Sequence, residues 1–588
     1  MELAGFYGIT TVFIFFLQGI CIEAVCFFPP EYVGEFVMQK SVNTGNAVEY
    51  STINISFTGT PLWGSCTRRY DNNFIFTTST DDYLCNNCLN LSLKSRNVLQ
   101  VRASNLSKCY VKEEDAIESC PKDDATKSDG VVEIILFKTQ NQYGPTQKEF
   151  CPIDDKYSVK YHFPNINSTN RCMTDNAIVN MCPSASEMSL SFDNCPEGYG
   201  FKLSCIGQWI GQNGQHYLAL EDSRQQPTYR CALFEKNEKT GIVKLALSRD
   251  STCDGGLETA SRGHETMELT PSPQEDSPWV AETENEVCRF PEWLQGQWEH
   301  VTVDRNTFVY RDQANFVKYD LRCLAAEANN RYFVHIRAQC GNEKSYSCLW
   351  VQQRDDNVFE FLFGLKASIR RDEVLCDESN FGQDGWITQG RKQPINTLRC
   401  PISGIFNGVI PESGSFCGSL SSDCKTPDLM YYKVYDCKTS QMYEEREYRC
   451  LGHWRENDQL YTYTKRHDSV AVGTFECFVG SIVTDDEDYI IIREAGVHCE
   501  RKMEGVLGMK LTKQKQLTKT CVEPEFETTI FDDATLRPVH PKIKHSTMRP
   551  STKPNTDKPT HISPSGSSSG SKTNVLLSLA LSIVIIIY

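Results

Sequence analysis

With 588 residues the chain exceeds the length that one hydrophobic core supports, and a prior of about 150 residues per domain predicts about four domains. Apolar residues make up 40% and charged residues 23% of the sequence, which is typical of a globular protein and excludes a wholly disordered one. The formal net charge of −16 argues against a nucleic-acid-binding protein, since such proteins present a concentrated basic face.

The N-terminus carries an apolar stretch at residues 8–20 of signal-peptide length, with small residues at Gly19 and Ala24. A first transmembrane helix is the alternative, but this stretch is too short to span a bilayer, which needs about 20 residues. We therefore expect a signal peptide over residues 1–24 and a mature chain that enters the secretory pathway.

Two phrases recur along the mature chain. "CFFPPEYVGEF" at residues 26–36 is repeated as "CRFPEWLQGQW" at residues 288–298, and both fit C-x-F-P-x4-G-x-[FW]. "FKLSCIGQW" at residues 201–209 returns as "REYRCLGHW" at residues 446–454, and both carry C-[IL]-G-x-W followed by an aromatic-x-Cys and a cysteine 22 residues later. Repeats at nearly one offset predict the order A–B–A′–B′. The predicted modules are A over 26–148, B over 149–255, A′ over 288–396 and B′ over 397–522.

The segment between the halves, residues 256–287, is acidic and polar without an apolar period, which predicts a linker or a long surface loop.

Short alternating segments, such as residues 300–312 and 331–338, dominate the modules, and long helical periods are absent. We expect an all-β fold of four small disulfide-rich antiparallel modules, each a sandwich or a small up-and-down barrel. Gly296–Trp298 resembles the Gly-x-Trp that opens a lipocalin or avidin barrel, where the tryptophan closes the barrel floor. The recurring tryptophans Trp209, Trp298 and Trp454 are expected in the module cores.

The 27 cysteines are spread over the chain without a zinc-finger ladder, which predicts disulfides in an oxidising compartment. The close pair in "CNNC" could indicate zinc or redox chemistry, and the signal peptide favours disulfides. Each half holds 13 cysteines, an odd number, so one disulfide between the halves is the simplest solution; free thiols or a bond between chains are the alternatives. The cysteines expected in disulfides are Cys26, Cys66, Cys85, Cys88, Cys109, Cys151, Cys205, Cys231, Cys253, Cys288, Cys323, Cys348, Cys376, Cys400, Cys450, Cys477 and Cys499.

With these phrases, residues 26–522 resemble a family of uncharacterised invertebrate extracellular cysteine-rich surface proteins, in which C-x-F-P-x4-G-x-W modules alternate with C-x-G-x-W modules. The family's modules are domains of unknown function, so the resemblance implies an architecture and no activity. Phe36 replaces the tryptophan of the first module and departs from the family pattern.

Four N-x-[ST] sequons predict N-glycans on exposed loops, at Asn54, Asn90, Asn105 and Asn167. The acidic run "TDDEDY" at residues 484–489 could bind Ca²⁺, and a solvated hairpin loop is the favoured interpretation. Histidines such as His216 and His453 have no ligand spacing, so we expect no metal site.

The C-terminal region changes composition. Residues 523–574 are rich in Ser, Thr, Pro and Lys, which predicts an extended stalk. Small residues, a polar spacer and the apolar tail 575–588 are the signal for a glycosylphosphatidylinositol (GPI) anchor, and a short membrane anchor is the alternative. The candidate attachment residues are Ser565, Gly566 and Ser567.

No catalytic, cofactor or metal motif occurs, and the single Gly-x-Ser-x-Gly lies in the stalk. We therefore expect a non-enzymatic recognition, adhesion or receptor-like glycoprotein at the cell surface, without a cofactor. Its partner would be an extracellular protein or glycan, not a nucleic acid, and its anchor would hold it to the membrane. The alternative is a carrier of a small apolar ligand in a lipocalin-like barrel.

Overall fold

The computed structural model of the chain describes residues 26–514, apart from 43–47, 80–83, 107, 124–129, 142–143, 154–155, 164–176, 183, 193–194, 196–199, 225–226, 255, 273–287, 340–344, 383–384, 403, 412–413, 424, 469–473, 483–488 and 502–507. The predicted signal peptide, stalk, tail and GPI attachment residues lie outside the described residues. No helix within the described residues is long and apolar enough to cross a membrane. The all-β prediction is confirmed, with four modules of antiparallel strands.

Module A is an up-and-down meander with the strand order β2-β1-β8-β7-β6-β5-β4-β3, and a short β9 pairs with β8. Its strands form where buried apolar residues alternate with exposed polar ones, as in β2. One short helix, α1 (Glu113–Glu118), lies between β7 and β8. The strands are β1 (Gly34–Val42), β2 (Val48–Ile55), β3 (Gly59–Thr60), β4 (Gly64–Tyr70), β5 (Asn73–Ser79), β6 (Leu84–Ser95), β7 (Val98–Ala103), β8 (Val132–Asn141) and β9 (Gly144–Pro145).

Module B is a closed barrel of eight consecutive strands. In its first strand Tyr157, Val159 and Tyr161 are buried while the residues between them are exposed, which is the alternation of a strand with one face in a core. The strands are β10 (Lys156–His162), β11 (Ala177–Asn180), β12 (Glu187–Phe192), β13 (Phe201–Ile210), β14 (His216–Asp222), β15 (Tyr229–Lys236), β16 (Val243–Leu247) and β17 (Glu265–Pro271).

The predicted linker over residues 256–287 is wrong in its first part. Residues 265–271 form β17, which pairs with both β10 and β16 and closes barrel B. Glu265, Met267 and Leu269 are buried on one face of β17. The sequence therefore alternates between buried and more exposed residues as a strand does, although most of its residues are polar. Module B therefore extends to residue 271.

Module A′ follows the order β18 to β25. An isolated β-bridge between Trp298 and Arg391 brings the two ends of this strand order together. The backbone N–H of Glu299 donates to the carbonyl of Gly390, and the N–H of Lys392 donates to the carbonyl of Gln297. The strands are β18 (Gly296–Gln297), β19 (Val301–Asp304), β20 (Thr307–Asp312), β21 (Val317–Glu327), β22 (Arg331–Ala338), β23 (Ser345–Asp355), β24 (Val358–Phe363) and β25 (Ile387–Gly390).

Module B′ is again a closed barrel of eight strands, like module B. The side chains of each barrel fill its interior, as expected for eight strands. The choice between a sandwich and a barrel is therefore settled as a barrel for both B modules. The strands are β26 (Gly404–Val409), β27 (Phe416–Ser422), β28 (Leu429–Asp436), β29 (Met442–Glu456), β30 (Gln459–Arg466), β31 (Phe475–Ile482), β32 (Tyr489–Glu494) and β33 (Met509–Lys513).

Ten disulfides link described cysteines, each within one module. All seventeen cysteines predicted to be bonded are in disulfides, and Cys120, Cys417 and Cys437 join them. Four bonds recur at equivalent positions of the two halves, which confirms the repeat. The ten pairs are Cys26–Cys66, Cys85–Cys109, Cys88–Cys120, Cys151–Cys205, Cys231–Cys253, Cys288–Cys323, Cys348–Cys376, Cys400–Cys450, Cys417–Cys437 and Cys477–Cys499.

The predicted disulfide between the halves stays a prediction, because none of these ten bonds joins the halves. Cys182 is also disulfide-bonded, to a partner outside the ten pairs. The side-chain amide of Gln339 donates to the carbonyl of its neighbour Met181 at 2.9 Å, so the second half reaches the chain next to Cys182.

Candidate interaction surfaces

The opening phrase of modules A and A′ is held by a cation near the end of each module, Lys138 in β8 and Arg391 directly after β25. The Lys138 ammonium lies 5.0 Å from the centre of the Phe36 ring and donates to the carbonyls of Glu31 and Val33. Burial lowers the pKa of Lys138 to about 8. Phe36 is fully buried, so phenylalanine fills this core position in module A.

Arg391 does the same in module A′. Its guanidinium lies 4.1 Å from the centre of the Trp298 ring and donates to the carbonyls of Gln295 and Trp293, the counterparts of Val33 and Glu31. The Trp298 indole N–H donates to the carbonyl of Leu294 at 2.8 Å. The prediction that Trp298 lies in a core is confirmed.

The C-[IL]-G-x-W motif forms a β-bulge in each half. The register of β13 shifts between Cys205 and Gly207, and that of β29 shifts between Cys450 and Gly452. A bulge bends its strand and turns the following side chains. In both halves the motif cysteine is bonded to a cysteine that begins a Cys-Pro-Ile sequence, Cys151 in B and Cys400 in B′, so the bulge is also fixed covalently.

The bulge glycine is the point at which each B module meets the preceding A module. A Cβ on Gly207 would lie 2.1 Å from Ser95 Oγ and 2.8 Å from Val98 Cγ2, in the β6–β7 hairpin. A Cβ on Gly452 would lie 2.6 Å from Val358 Cγ2, in the equivalent β23–β24 hairpin. The repeated motif is therefore a docking motif between modules.

The motif tryptophans lie at the same contacts. Trp209 stacks on Tyr217 and Trp454 on Tyr461, with ring centroids 5.4 Å apart in both pairs. Trp209 packs in an apolar cluster with Val98 of module A, and Trp454 in a cluster with Val358 of module A′, so each cluster spans two modules. The prediction of a core position is confirmed for Trp454, which is 8% exposed and lies in a core cluster made mostly of barrel B′ residues. Trp209 is only partly buried and packs against the cluster between modules A and B.

Polar groups reinforce the contact between modules A and B. The side-chain amide of the buried Asn97 donates to the carbonyl of Ile206 at 2.8 Å. The hydroxyls of Tyr50 and Ser251 share a hydrogen bond of 2.6 Å. Each of these hydrogen bonds joins a residue of module A to a residue of module B, so the hairpin contact is part of a wider interface.

The contact between modules A′ and B′ adds buried charge. Arg501 makes a bidentate pair with Glu360, with both N–O distances at 2.7 Å, and also bonds to Glu456. Glu360 is fully buried and accepts a further bond from Arg354. Because a buried carboxylate without a partner is costly, this network makes the A′–B′ contact specific.

Modules B and A′ meet through a backbone and an aromatic contact. The N–H of Ala185 donates to the carbonyl of Phe316 at 2.8 Å, and the Phe316 ring lies 5.5 Å from that of Phe150. The Gln339–Met181 hydrogen bond lies at the same interface.

Modules B′ and A close the cycle. Arg466 of B′ pairs with Glu31 of A at 3.2 Å, and both side chains are almost completely buried. The rings of Phe27 and Tyr443 lie 4.2 Å apart beside this pair. Burial by itself would raise the pKa of Glu31, but Arg466 and Arg446 hold it below its ordinary value. Glu31 is therefore an anion whose charge is matched by the other end of the chain.

These four contacts form a cycle, A to B to A′ to B′ and back to A. Each module touches its sequence neighbours, and the first and last modules touch each other. The arrangement fixes the modules relative to one another.

Two predicted glycosylation sites are exposed and one is not. Asn54 and Asn105 are exposed, as a glycan requires, and Asn167 lies outside the described residues. Asn90 is fully buried in β6, where its side chain bonds to Asn73, Asp123 and Arg102. The fold therefore leaves no room for a glycan on Asn90, and that prediction is wrong.

The remaining candidate sites are the "CNNC" pair and the acidic run of module B′. Cys85 and Cys88 of "CNNC" point to different partners, Cys109 and Cys120, because each is half of a separate disulfide. Across the described part of the chain, no group of three His, Cys, Asp or Glu side chains is placed to hold a metal ion. The acidic residues 484–488 lie outside that part.

Barrel B′ has a small apolar pocket at one end, lined by Ile402, Met430, Phe478 and Ile492 among others. Its free volume is about 30 Å³, enough for one or two water molecules. The barrel shape allows the carrier alternative, and this pocket is far smaller than the several hundred Å³ of a typical ligand site.

Four family profiles match the chain, and each is described as a domain of unknown function. DUF7044 covers residues 24–125, DUF7042 covers 147–271, DUF7043 covers 284–388 and DUF7045 covers 400–505. The chain is a tandem array of four domains of unknown function. The second domain of the array ends at residue 271, where β17 closes barrel B. No curated protein matches the array.

Sequence reasoning missed the charged residues at the module contacts. Glu31 occupies a variable position of the opening phrase, and Glu360, Arg466 and Arg501 lie in no recurring phrase. Their partners are distant in sequence, and only the fold brings them together. The one available signal was the repeated bulge motif, whose glycine indicates close approach of another backbone or side chain.

Proposed function

We propose that the array is a non-enzymatic recognition protein of the cell surface, which binds an extracellular protein or a glycan through exposed loops. The cycle of four module contacts carries this proposal. It supports a rigid scaffold, and rigid scaffolds that position loops are a common basis of binding. The ten disulfides support an extracellular setting.

The tether is the C-terminal segment in this proposal, with a GPI anchor attached at Ser565, Gly566 or Ser567. The composition of residues 523–588 supports it. Phosphatidylinositol-specific phospholipase C should release the array from intact cells, and replacing the three attachment residues together should prevent surface display. Resistance to the phospholipase, with display intact, would favour the short membrane anchor.

The binding function is tested with the released array. We expect the released protein to bind saturably to cells, to a protein or to a glycan in a panel of immobilised glycans. Loop substitutions that leave its thermal stability unchanged should abolish this binding. A folded array that binds none of these would contradict the proposal. The alternative carrier function is supported by the barrel shape alone, and uptake of a fluorescent fatty acid by the folded array would favour it.

A further inference from the structure

Each half of the chain has a short connector between its A-type and its B-type module, and the two connectors are held alike. We name residues 145–149 the first connector and residues 394–398 the second connector. The side-chain amide of the buried Asn97 donates to the third residue of the first connector, and that of the buried Asn357 donates to the third residue of the second, each at 2.7 Å. A bonded Cys-Pro-Ile cysteine begins two residues after each connector. The connectors are therefore equivalent positions of the two halves.

In the first half, side chains fill the space between the connector and the barrel. The Lys148 ammonium of the connector pairs with the Glu187 carboxylate of β12. Module A′ lies directly beside this pair, because the backbone N–H of Ala185 donates to the carbonyl of Phe316 and the Phe316 ring packs near Phe150. The first connector is therefore both bridged to its barrel and covered by a protein loop.

The second half has other residues at the same positions. The N–H of Cys205 donates to the carbonyl of Ser186, and the N–H of Cys450 donates to the carbonyl of Asp428, so these strands align residue by residue. The bridging and covering residues are replaced by Thr397 for Lys148, Leu429 for Glu187, Arg399 for Phe150 and Pro427 for Ala185. Threonine is too short to bridge the gap, and proline has no N–H with which to hold a protein loop.

A cavity of about 280 Å³ lies at this place in the second half, and we name it the connector cavity. It is lined by the second connector on one side and by Asp428, Arg449 and Cys450 of barrel B′ on the other. Small-molecule sites begin at about 300 Å³, so the cavity has the size of a site for one compact ligand. The space is present because the lysine that bridges the first half has no counterpart here.

The barrel side of the connector cavity carries one ion pair. Arg449 points out of barrel B′, because its neighbours Tyr448 and Cys450 on β29 lie in the core. Its Nε lies 3.3 Å from Asp428 Oδ2, and its side chain remains 36% exposed. Because this contact uses Nε, the terminal nitrogens of Arg449 can donate to a ligand. The pair thus offers a donor and an acceptor side by side without a net charge.

The connector side is mostly aliphatic. Ile395 is 64% exposed, and Pro394 and Leu398 line the cavity with it. Thr397 adds one hydroxyl group. The N–H of Ile395 donates to Asn357 Oδ1 at 2.8 Å, so the connector is held in place before any ligand binds. A ligand for this cavity needs an apolar face on one side and groups that both donate and accept hydrogen bonds on the other.

We propose that the connector cavity binds one neutral sugar unit of a glycan. A hydroxyl group donates and accepts at once, so neighbouring hydroxyls of a sugar ring can donate to Asp428 and accept from Arg449. The C–H groups of the same ring supply the apolar face that Ile395 needs. The inference rests on the proposed recognition function and names a glycan as the partner.

Two features favour a neutral sugar over the other occupants. An ion pair with no net charge gives no attraction for an acidic ligand. A protein loop is held in the first half by the N–H of Ala185 and the ring of Phe150, and Pro427 and Arg399 offer neither group.

The test uses the purified full chain, kept in a detergent without a sugar headgroup and immobilised on beads. Its probes are fluorescent polymers that each carry one sugar: glucose, galactose, mannose, fucose, N-acetylglucosamine, N-acetylgalactosamine, glucuronic acid or N-acetylneuraminic acid. We expect the wild type to bind at least one of the neutral polymers. R449Q and D428N should each reduce that binding at least tenfold, because each removes a hydrogen bond to a charged group. T397K should have the same effect, since it puts the longer side chain of the first half into the cavity.

K433Q is the matched control. It removes the cation of a partly exposed ion pair with Glu445 on the same barrel and should bind like the wild type. Thermal unfolding checks that each variant is folded. A wild type that binds no neutral polymer would overturn the inference, and so would folded R449Q and T397K variants that bind as well as the wild type. If the chain binds an extracellular protein and none of the polymers, the sugar site fails and the proposed recognition function stands.

Discussion

Barrels B and B′ carry an ion pair at the same position with the two charges exchanged. In B, Asp222 pairs with Arg230 at 3.5 Å, and in B′, Arg466 pairs with Glu476 at 3.5 Å. Asp222 and Arg466 each lie opposite the residue two before the motif cysteine. Arg230 and Glu476 each precede the cysteine of the aromatic-x-Cys sequence.

The third partner of the pair differs between the barrels. In B the carboxylates of Asp222 and Glu265 are satisfied by Arg230 and by Arg224, which belongs to the same module. In B′ the arginine is satisfied by Glu476 and Asp468 of its own module and also by Glu31, which belongs to module A. The exchange of signs therefore places in B′ a buried arginine that reaches a carboxylate of module A, whereas the charges of the cluster in B are all matched within one module.

The largest expected effect comes from removing the buried arginine of the self-contained cluster. R230A leaves Asp222 and Glu265 short of a buried partner, so we expect barrel B to lose about 3–5 kcal/mol of unfolding free energy. Urea unfolding with the disulfides intact measures this loss. R262A removes an exposed arginine of the same module and should change stability by less than about 0.5 kcal/mol. Equal effects of the two variants would contradict the assignment of Arg230.

The bulge glycines test whether the two halves use the same docking contact. A methyl group on Gly207 or Gly452 collides with the neighbouring hairpin, so G207A and G452A should each cost about 1–3 kcal/mol. G418A is the control, because a Cβ there meets its nearest atom at an ordinary 3.5 Å. If one of the two bulge variants is as stable as G418A, the equivalence of the contacts fails.

Acid should weaken the contact between the ends of the chain. The pKa of Glu31 in the folded state lies below its ordinary value of 4.5, so its contribution to stability is present above about pH 4.5 and is lost as the pH falls through the folded pKa. Hydrogen exchange of the β29 and β30 backbone should therefore rise below about pH 4.5. E31Q should already show the faster exchange at neutral pH, and its exchange should change less on acidification than that of the wild type. If acid speeds exchange in E31Q as much as in the wild type, a group other than Glu31 causes the effect.

The smallest expected effect on stability concerns the glycans of module A. Glycopeptide mapping should find Asn54 and Asn105 occupied and Asn90 unmodified, because only Asn90 is buried. N54Q should leave the free energy of unfolding within about 0.5 kcal/mol of wild type, whereas N90Q should cost more because three hydrogen bonds depend on the buried Asn90 side chain. A glycan found on Asn90 would contradict the placement of β6.

The sequence predicted those features that are local. Strands follow from alternation, and modules follow from repeated phrases, so the four-module order and the bonded cysteines were accessible. β17 was missed because only Met267 and Leu269 interrupt its polar composition. A sequon does not reveal which face of a strand its asparagine occupies, which is why Asn90 was assigned wrongly. The pairs Glu31–Arg466 and Glu360–Arg501 depend on how modules pack, and no local pattern encodes that.

The contact between modules A and B′ is the central claim, and a double-mutant cycle on Glu31 and Arg466 tests it most directly. The two residues are 435 positions apart, and their side chains lie 3.2 Å apart. If they touch, the effects of E31A and R466A on the unfolding free energy should fail to add, with a coupling energy of about 1.5 kcal/mol or more. Additive effects within about 0.5 kcal/mol would contradict the contact and leave the cycle of modules open.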